Sequence, residues 1–144
     1  MFVINAFLEL IRNSKEKKII FISSQSAAIH FTRVTGFSTV MGYSAAKAAM
    51  EMITAKYAAE LAPEGIKTLS LSPGWVDTDA AKAVTGDPEV RKYVLSAFRK
   101  LDPSVNGPIP VHEAVSAMLQ VITGLTDADS GKSVTLRGET GGWF

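Results

Sequence analysis

Apolar positions recur at helical spacing over residues 2–12, where Phe2, Ala6, Phe7, Leu10 and Ile11 predict an amphipathic helix. The polar run 13–18 ends it, and Lys15, Lys17 and Lys18 read as a solvated turn. Residues 18–24 (KIIFISS) are almost continuously apolar and rich in isoleucine, the pattern of a strand covered on both faces. A polar loop is expected from Gln25 to about Val40. Residues 41–61 are rich in Ala, Met and Lys and predict one long helix, stopped by Pro63 and Gly65. Residues 66–72 (IKTLSLS) predict a second strand, closed by Pro73-Gly74. A polar segment, 77–108, is expected to hold one helix over 88–100, with proline in its first turn. Residues 110–125 predict another helix on Val111, Ala114, Val115, Met118, Leu119 and Ile122. A third strand over 132–136 leads into a glycine-rich tail ending at Phe144.

Strands alternating with long helices predict right-handed crossovers and a parallel sheet, an α/β fold. Ligands on such sheets bind at the carboxyl ends of the strands. Those ends carry Ser23 and Ser24, then Ser72-Pro73-Gly74.

Charge and composition narrow the function more than they narrow the fold. The 144 residues carry 15 Lys+Arg against 14 Asp+Glu, too even a balance for a nucleic-acid binder. The absence of cysteine removes disulfides, thiolate catalysis and Cys-ligated metals. His30 and His112 have no third histidine or carboxylate cluster beside them in the sequence, so no metal site is expected. No apolar run reaches the roughly 18 residues of a membrane span. The first eleven residues lack the charged start and small-residue cleavage site of a signal peptide. A cytoplasmic protein is the expectation.

Tyr43 and Lys47 stand four apart at the start of the long helix and share one face. A phenol ordinarily ionises near pH 10, and an adjacent ammonium favours its charged form, making it a usable acid or base. Alone, such a pair is an ordinary solvated helix pair. Its neighbours change the reading: Ile20-Phe-Ile-Ser-Ser24 ends a strand, Tyr43-Ser-Ala-Ala-Lys47 opens a helix, and Leu71-Ser-Pro-Gly-Trp-Val-Asp-Thr78 follows the next strand. In that order and setting the chain resembles the short-chain dehydrogenase/reductase family, closest to its carbonyl-reductase-like and fungal secondary-metabolism branch. The resemblance runs from the first helix to Gly138.

The resemblance implies an NAD(P)-dependent oxidoreductase that interconverts a carbonyl and an alcohol on a small-molecule substrate. Tyr43 would be the general acid or base, and Lys47 would lower its pKa and bind the nicotinamide ribose. Ser24, or less readily Ser23, would hold the substrate oxygen. Pro73 and Gly74 would let the backbone approach the nicotinamide, and Val76 and Thr78 would meet its carboxamide, so Tyr43, Lys47, Pro73, Gly74, Val76 and Thr78 form the expected cofactor surface. Segment 79–108 resembles the substrate lid, with Trp75 at the entrance and Tyr93 and Phe98 within. Helices 2–12 and 41–61 resemble those of the family's dimer interface, implying a homodimer.

The family's Thr-Gly-x-x-x-Gly-x-Gly turn, its NAD/NADP-selecting residue and its catalytic asparagine have no counterpart here, and Asn5 does not fill that last slot. The cofactor is therefore expected to be NADP or NAD. The interval from Ser24 to Tyr43 is longer than in most members. The 144 residues are read as one partial domain, a Rossmann-like catalytic half without its dinucleotide-binding half. A non-catalytic remnant or dimerisation module is the alternative. Ser–Lys hydrolase chemistry finds no Gly-x-Ser-x-Gly elbow to support it.

Overall fold

In the computed structural model, residues 2–140 are described. The last four residues of the glycine-rich tail lie outside them. Helix α1 (Phe2–Arg12) leads to strand β1 (Lys18–Ile22), a 3-10 turn at Gln25–Ala27 and a short helix α2 (Ile29–Thr35). The long helix α3 (Met41–Leu61) returns to β2 (Lys67–Ser72). Helices α4 (Asp79–Thr85), α5 (Pro88–Arg99) and α6 (Val111–Thr123) then precede β3 (Ser133–Thr135).

The sheet has the order β1-β2-β3 and is parallel throughout, with Ile22 opposite Leu71 and Ser72 opposite Thr135. Strand alternation sorts the core into two layers. Ile19 and Phe21 pack with Tyr57, Leu61, Ile4 and Leu8 under α1 and α3. Ile20, Leu69, Leu71 and Val134 pack with Met118, Val121 and Ile122 of α6. On the α3 side β2 presents Thr68, whose hydroxyl donates to the Thr54 carbonyl at 2.8 Å. Small side chains let α3 come close: a Cβ on Gly131 would stand 2.8 Å from that of Ala58.

Both crossovers step across the sheet in the same direction, yet α3 and α6 cover opposite faces. The two connections therefore have opposite hands, and the expected pair of right-handed crossovers does not occur. The right-handed preference belongs to a strand feeding one helix straight back onto the sheet. Between β2 and β3 the chain passes through three helices, which frees it from that constraint.

Two further expectations are corrected. The loop at 25–40 contains α2, which ends on Gly36 in a left-handed conformation with φ 71°. The segment 77–108 holds two helices: α4 is capped by Thr78, whose side chain accepts from the Ala81 N–H, and α5 by Asp87. The helix expected over 88–100 is α5, whereas α4, at seven residues, is too short to announce itself through sequence period. Among the described residues, no helix is long and apolar enough to cross a membrane.

Candidate active site

Helix α3 fastens itself to the end of β1 through two side chains one turn apart. Lys47 Nζ donates to the Ile22 carbonyl at 2.6 Å. Ser23 Oγ donates to Glu51 Oε1 at 2.7 Å. Tyr43, Lys47 and Glu51 repeat every four residues and so lie on one face. The Lys47 ammonium is 5.5 Å from the centroid of the Tyr43 ring, and that ring is half exposed. Partial burial pushes the Glu51 carboxyl above the usual carboxylate range, against the hydrogen bonds from Ser23 and Ser133.

The helix begins under strain. Val40, directly before it, holds φ 54° and ψ 39°, a left-handed conformation that a β-branched residue rarely adopts. Its carbonyl accepts from the Ser44 N–H at 2.9 Å, setting the turn that carries Tyr43. The preceding loop is tied to α5 in turn. Tyr93 Oη accepts from the Ser38 N–H at 2.9 Å and donates to the Gly36 carbonyl at 3.3 Å, and its ring stacks on Phe37. The bond from Ser38, with a smaller contribution from the Lys100 charge, pulls the Tyr93 phenol below its ordinary range.

The two strand-end serines separate cleanly. Ser23 is buried, and its hydroxyl is spent on Glu51. Ser24 is half-buried; its Oγ accepts from the Ser26 N–H at 3.3 Å and lies 3.0 Å from Ser26 Oγ, capping the 3-10 turn. It borders a cavity of about 20 Å³, room for roughly one water, together with Glu51, Ser72 and Ser133. Asn5 is occupied elsewhere, accepting from Tyr57 Oη at 2.7 Å.

A larger cavity of about 510 Å³ opens at the carboxyl ends of all three strands. Gln25 follows β1, Gly74 follows β2 and Leu136 follows β3, while Phe98 of α5 and Ile109 close it from the side. Gly74 has φ 77°, and a Cβ there would stand 3.2 Å from Leu136 Cδ2, so only glycine fits this wall without strain. Trp75 is buried in the wall, stacked on Phe98 at 5.9 Å, and does not stand at the entrance as expected. Phe98 lines the cavity; Tyr93 does not, because its ring is taken by Phe37. Of the expected cofactor residues, Gly74 alone lines this cavity. Pro73 adjoins it, Val76 bridges to Ile109, Thr78 caps α4, and Tyr43 and Lys47 stand outside at the end of β1.

Sequence reasoning passed over Glu51 and Gln25. Glu51 had a signal, the four-residue repeat after Tyr43 and Lys47; Gln25 had only its place beside Ser24.

The sequence and the parallel α/β fold are matched by known proteins. Residues 1–107 match the family described as enoyl-(acyl carrier protein) reductase. The chain belongs to the short-chain dehydrogenase/reductase family. It is 49% identical over 136 residues to the short-chain dehydrogenase/reductase atnB of Arthrinium sp, covering 94% of this chain and 51% of that protein. It is 36% identical over 124 residues to AacuF of Aspergillus aculeatus, covering 85% of this chain and 47% of the relative. An NADPH-bound carbonyl reductase from chicken fatty liver superposes with a TM-score of 0.72 at 24% identity, covering 94% of this chain and 49% of that one. The chain thus spans about half the length of the relatives it matches, and its three strands with flanking helices form part of a Rossmann-like sheet.

Proposed function

We propose that the chain carries the proton-transfer and substrate half of an NAD(P)-dependent oxidoreductase that interconverts a small-molecule carbonyl and alcohol. The observation that carries the reading is the α3 face: Lys47 is locked to the Ile22 carbonyl at 2.6 Å with its charge 5.5 Å from the Tyr43 ring, beside the strand end that bears Ser24. In the reduction direction Tyr43 gives its proton to the substrate oxygen. The Lys47 charge offsets the negative charge left on the phenol oxygen. Ser24 has a hydroxyl hydrogen to aim at the same substrate oxygen, and such placed donors stabilise a developing alkoxide. Segment 79–108 serves as the lid.

The residues present fit a nicotinamide cofactor. Lys47 keeps two of its three donors beyond Ile22, Thr78 keeps its hydroxyl hydrogen after accepting from Ala81, and Gly74 offers bare backbone at the cavity wall. Lys47 would bind the ribose, and Pro73, Gly74, Val76 and Thr78 would hold the ring and carboxamide. When bound, the cofactor supplies or accepts the hydride. The NADPH seen in the chicken carbonyl reductase supports NADP as one choice, with NAD the other.

The test is thermal unfolding of the purified chain with each nucleotide. Binding to the folded state at about 100 times Kd adds about 2.7 kcal/mol and raises Tm by several degrees. A rise with NADPH or NADH supports the reading; no rise with either removes it for this chain.

A second reading, a non-catalytic module that associates through α1 and α3, is favoured by exposed Val3, Phe7 and Leu10 on α1 and exposed Met41 and Met52 on α3. Sedimentation checks it, and a monodisperse monomer counts against it.

A further inference from the structure

Helix α3 begins without the usual supports of a helix start. Met41 is 79% exposed, and a Cβ on Gly42 would meet no atom within 4 Å outside its own turn. Val40, at the cap position, has no side-chain oxygen to bond the free N–H groups of the first turn. Tyr43 is the third residue of this helix, and its own ring is half exposed. The packing of the first turn therefore does not hold Tyr43 in place. Nor does Val40 keep its left-handed φ of 54° unaided, since such backbone persists only where the surroundings impose it.

The surroundings that impose it belong to α5. Lys100, directly after that helix, donates Nζ to the Thr35 carbonyl at 2.6 Å. Tyr93 Oη donates to the Gly36 carbonyl at 3.3 Å and accepts from the Ser38 N–H at 2.9 Å. Phe37 lies between these bonds: its ring stacks on Tyr93 at 5.5 Å and meets Phe31 of α2 edge-on at 5.7 Å. Every residue from 35 to 38 is thus fixed to something other than α3, and only Thr39 and Val40 separate this anchored stretch from the helix. Tyr93 is its hub, bonding two of the four residues through the hydroxyl and a third through the ring. The same helix places Phe98 in the wall of the 510 Å³ cavity, so one element touches both the cavity and the loop that launches α3.

We propose that Tyr93 is a positioning residue for Tyr43: by bonding Gly36 and Ser38 and stacking on Phe37 it fixes the start of α3, and with it the direction from which Tyr43 meets a substrate oxygen. A reacting group has to be held to about 0.5 Å, so a loosened helix start lowers rate before it lowers binding. The effect on turnover rests on the oxidoreductase reading; the structural link from Tyr93 to Tyr43 does not.

The test uses the three tyrosines of the chain, 43, 57 and 93. Labelling with 3-fluorotyrosine gives each a fluorine resonance, and Tyr43→Phe identifies that of Tyr43. Tyr93→Phe keeps the stacked ring and removes only the hydroxyl. It should shift the Tyr43 resonance while that of Tyr57, buried farther along the same helix and bonded to Asn5, stays in place. Lys100→Met, which cuts the neighbouring bond to Thr35 and leaves Tyr93 untouched, should shift Tyr43 likewise. A Tyr43 resonance that stays put in Tyr93→Phe, or in Lys100→Met where the first variant fails to fold, overturns the proposal. So does a shift of Tyr43 and Tyr57 together, which would report a general loosening of α3. In turnover, Tyr93→Phe should lower kcat about tenfold or more with KM within about threefold, and an unchanged kcat would equally overturn it. Failure of the oxidoreductase reading shows separately, as absent turnover and a missing Tm rise with NADPH and NADH in the unaltered chain, and the fluorine comparison then decides alone.

Discussion

Ser23 donates its hydroxyl to Glu51 at 2.7 Å, one helical turn beyond the lysine that grips the Ile22 carbonyl. The paired grips hold the end of β1 against α3, and with it the relation between Ser24 and Tyr43. Glu51→Ala should lower stability by about 1 kcal/mol, the net worth of one such hydrogen bond, whereas Glu51→Gln, which keeps an acceptor and sheds the half-buried charge, should not lower it at neutral pH. Chemical denaturation of the three proteins measures both.

Glu51 also gives stability a pH slope of known sign. Burial raises its folded pKa above the unfolded value, so the folded state holds the proton more firmly. Its contribution is complete below the ordinary carboxylate range and is lost as pH rises through the raised folded pKa. Glu51→Gln should remove this loss. Unfolding free energies measured from pH 4 to pH 8 should converge toward the acid end if Gln replaces only the ionisation, and parallel curves would refute the assignment.

Asp129 works in the opposite sense. Thr126 and Lys132 donate to its carboxylate and hold its pKa down to about 2. Its contribution is present above the ordinary Asp range and fades as pH falls toward that lowered value. Asp129→Asn should melt below the unaltered chain at pH 7, and the gap should close on acidification, followed by circular dichroism.

Under the proposed chemistry, Tyr43→Phe should reduce carbonyl turnover by about 10² or more, the usual worth of a placed proton donor. Because the ring is half exposed, Tm should change little. Lys47→Met should impair both turnover and nucleotide binding, as its ammonium serves the phenol and the ribose. Nucleotide titration and initial rates on the same preparations separate the two roles.

Leu71 is wholly buried at the centre of the sheet, packed with Leu69, Leu125 and Val134 under the α6 layer. Leu71→Ala should cost about 2–5 kcal/mol, lost transfer energy plus the cavity left behind. Urea denaturation gives the figure, and a cost under about 1 kcal/mol would mean that the α6 layer collapses to fill the space.

The elements with a strong local pattern were legible in the chain. Residues 41–61 have the predicted helix to the residue, and the three strands fall within one or two residues of their expected ends. The resemblance also marked Tyr43, Lys47, Ser24 and Gly74, because those residues sit at strand and helix ends where local signals are densest. What sequence periodicity could not carry was α2 and α4. Their seven residues each complete barely two turns, too few to set up a period, and Phe31 of α2 packs edge-on against Phe98 far along the chain.

Tertiary structure decided which of two adjacent serines is bound to α3. Strand alternation turns Ser23 toward Glu51 and leaves Ser24 at the turn, a choice that depends on where α3 lies. It also decided that α6 covers the face opposite α3, since a long connection carries no local record of its hand. The 510 Å³ cavity is likewise absent from any local pattern: Gln25, Gly74 and Leu136 lie far apart in the chain and meet because parallel strands end together. Local residue order was enough to determine the strands, the long helix and the placing of Tyr43 and Lys47 on one face of its first turns. The cavity those elements surround depends on long-range packing, and only the assembled sheet defines it.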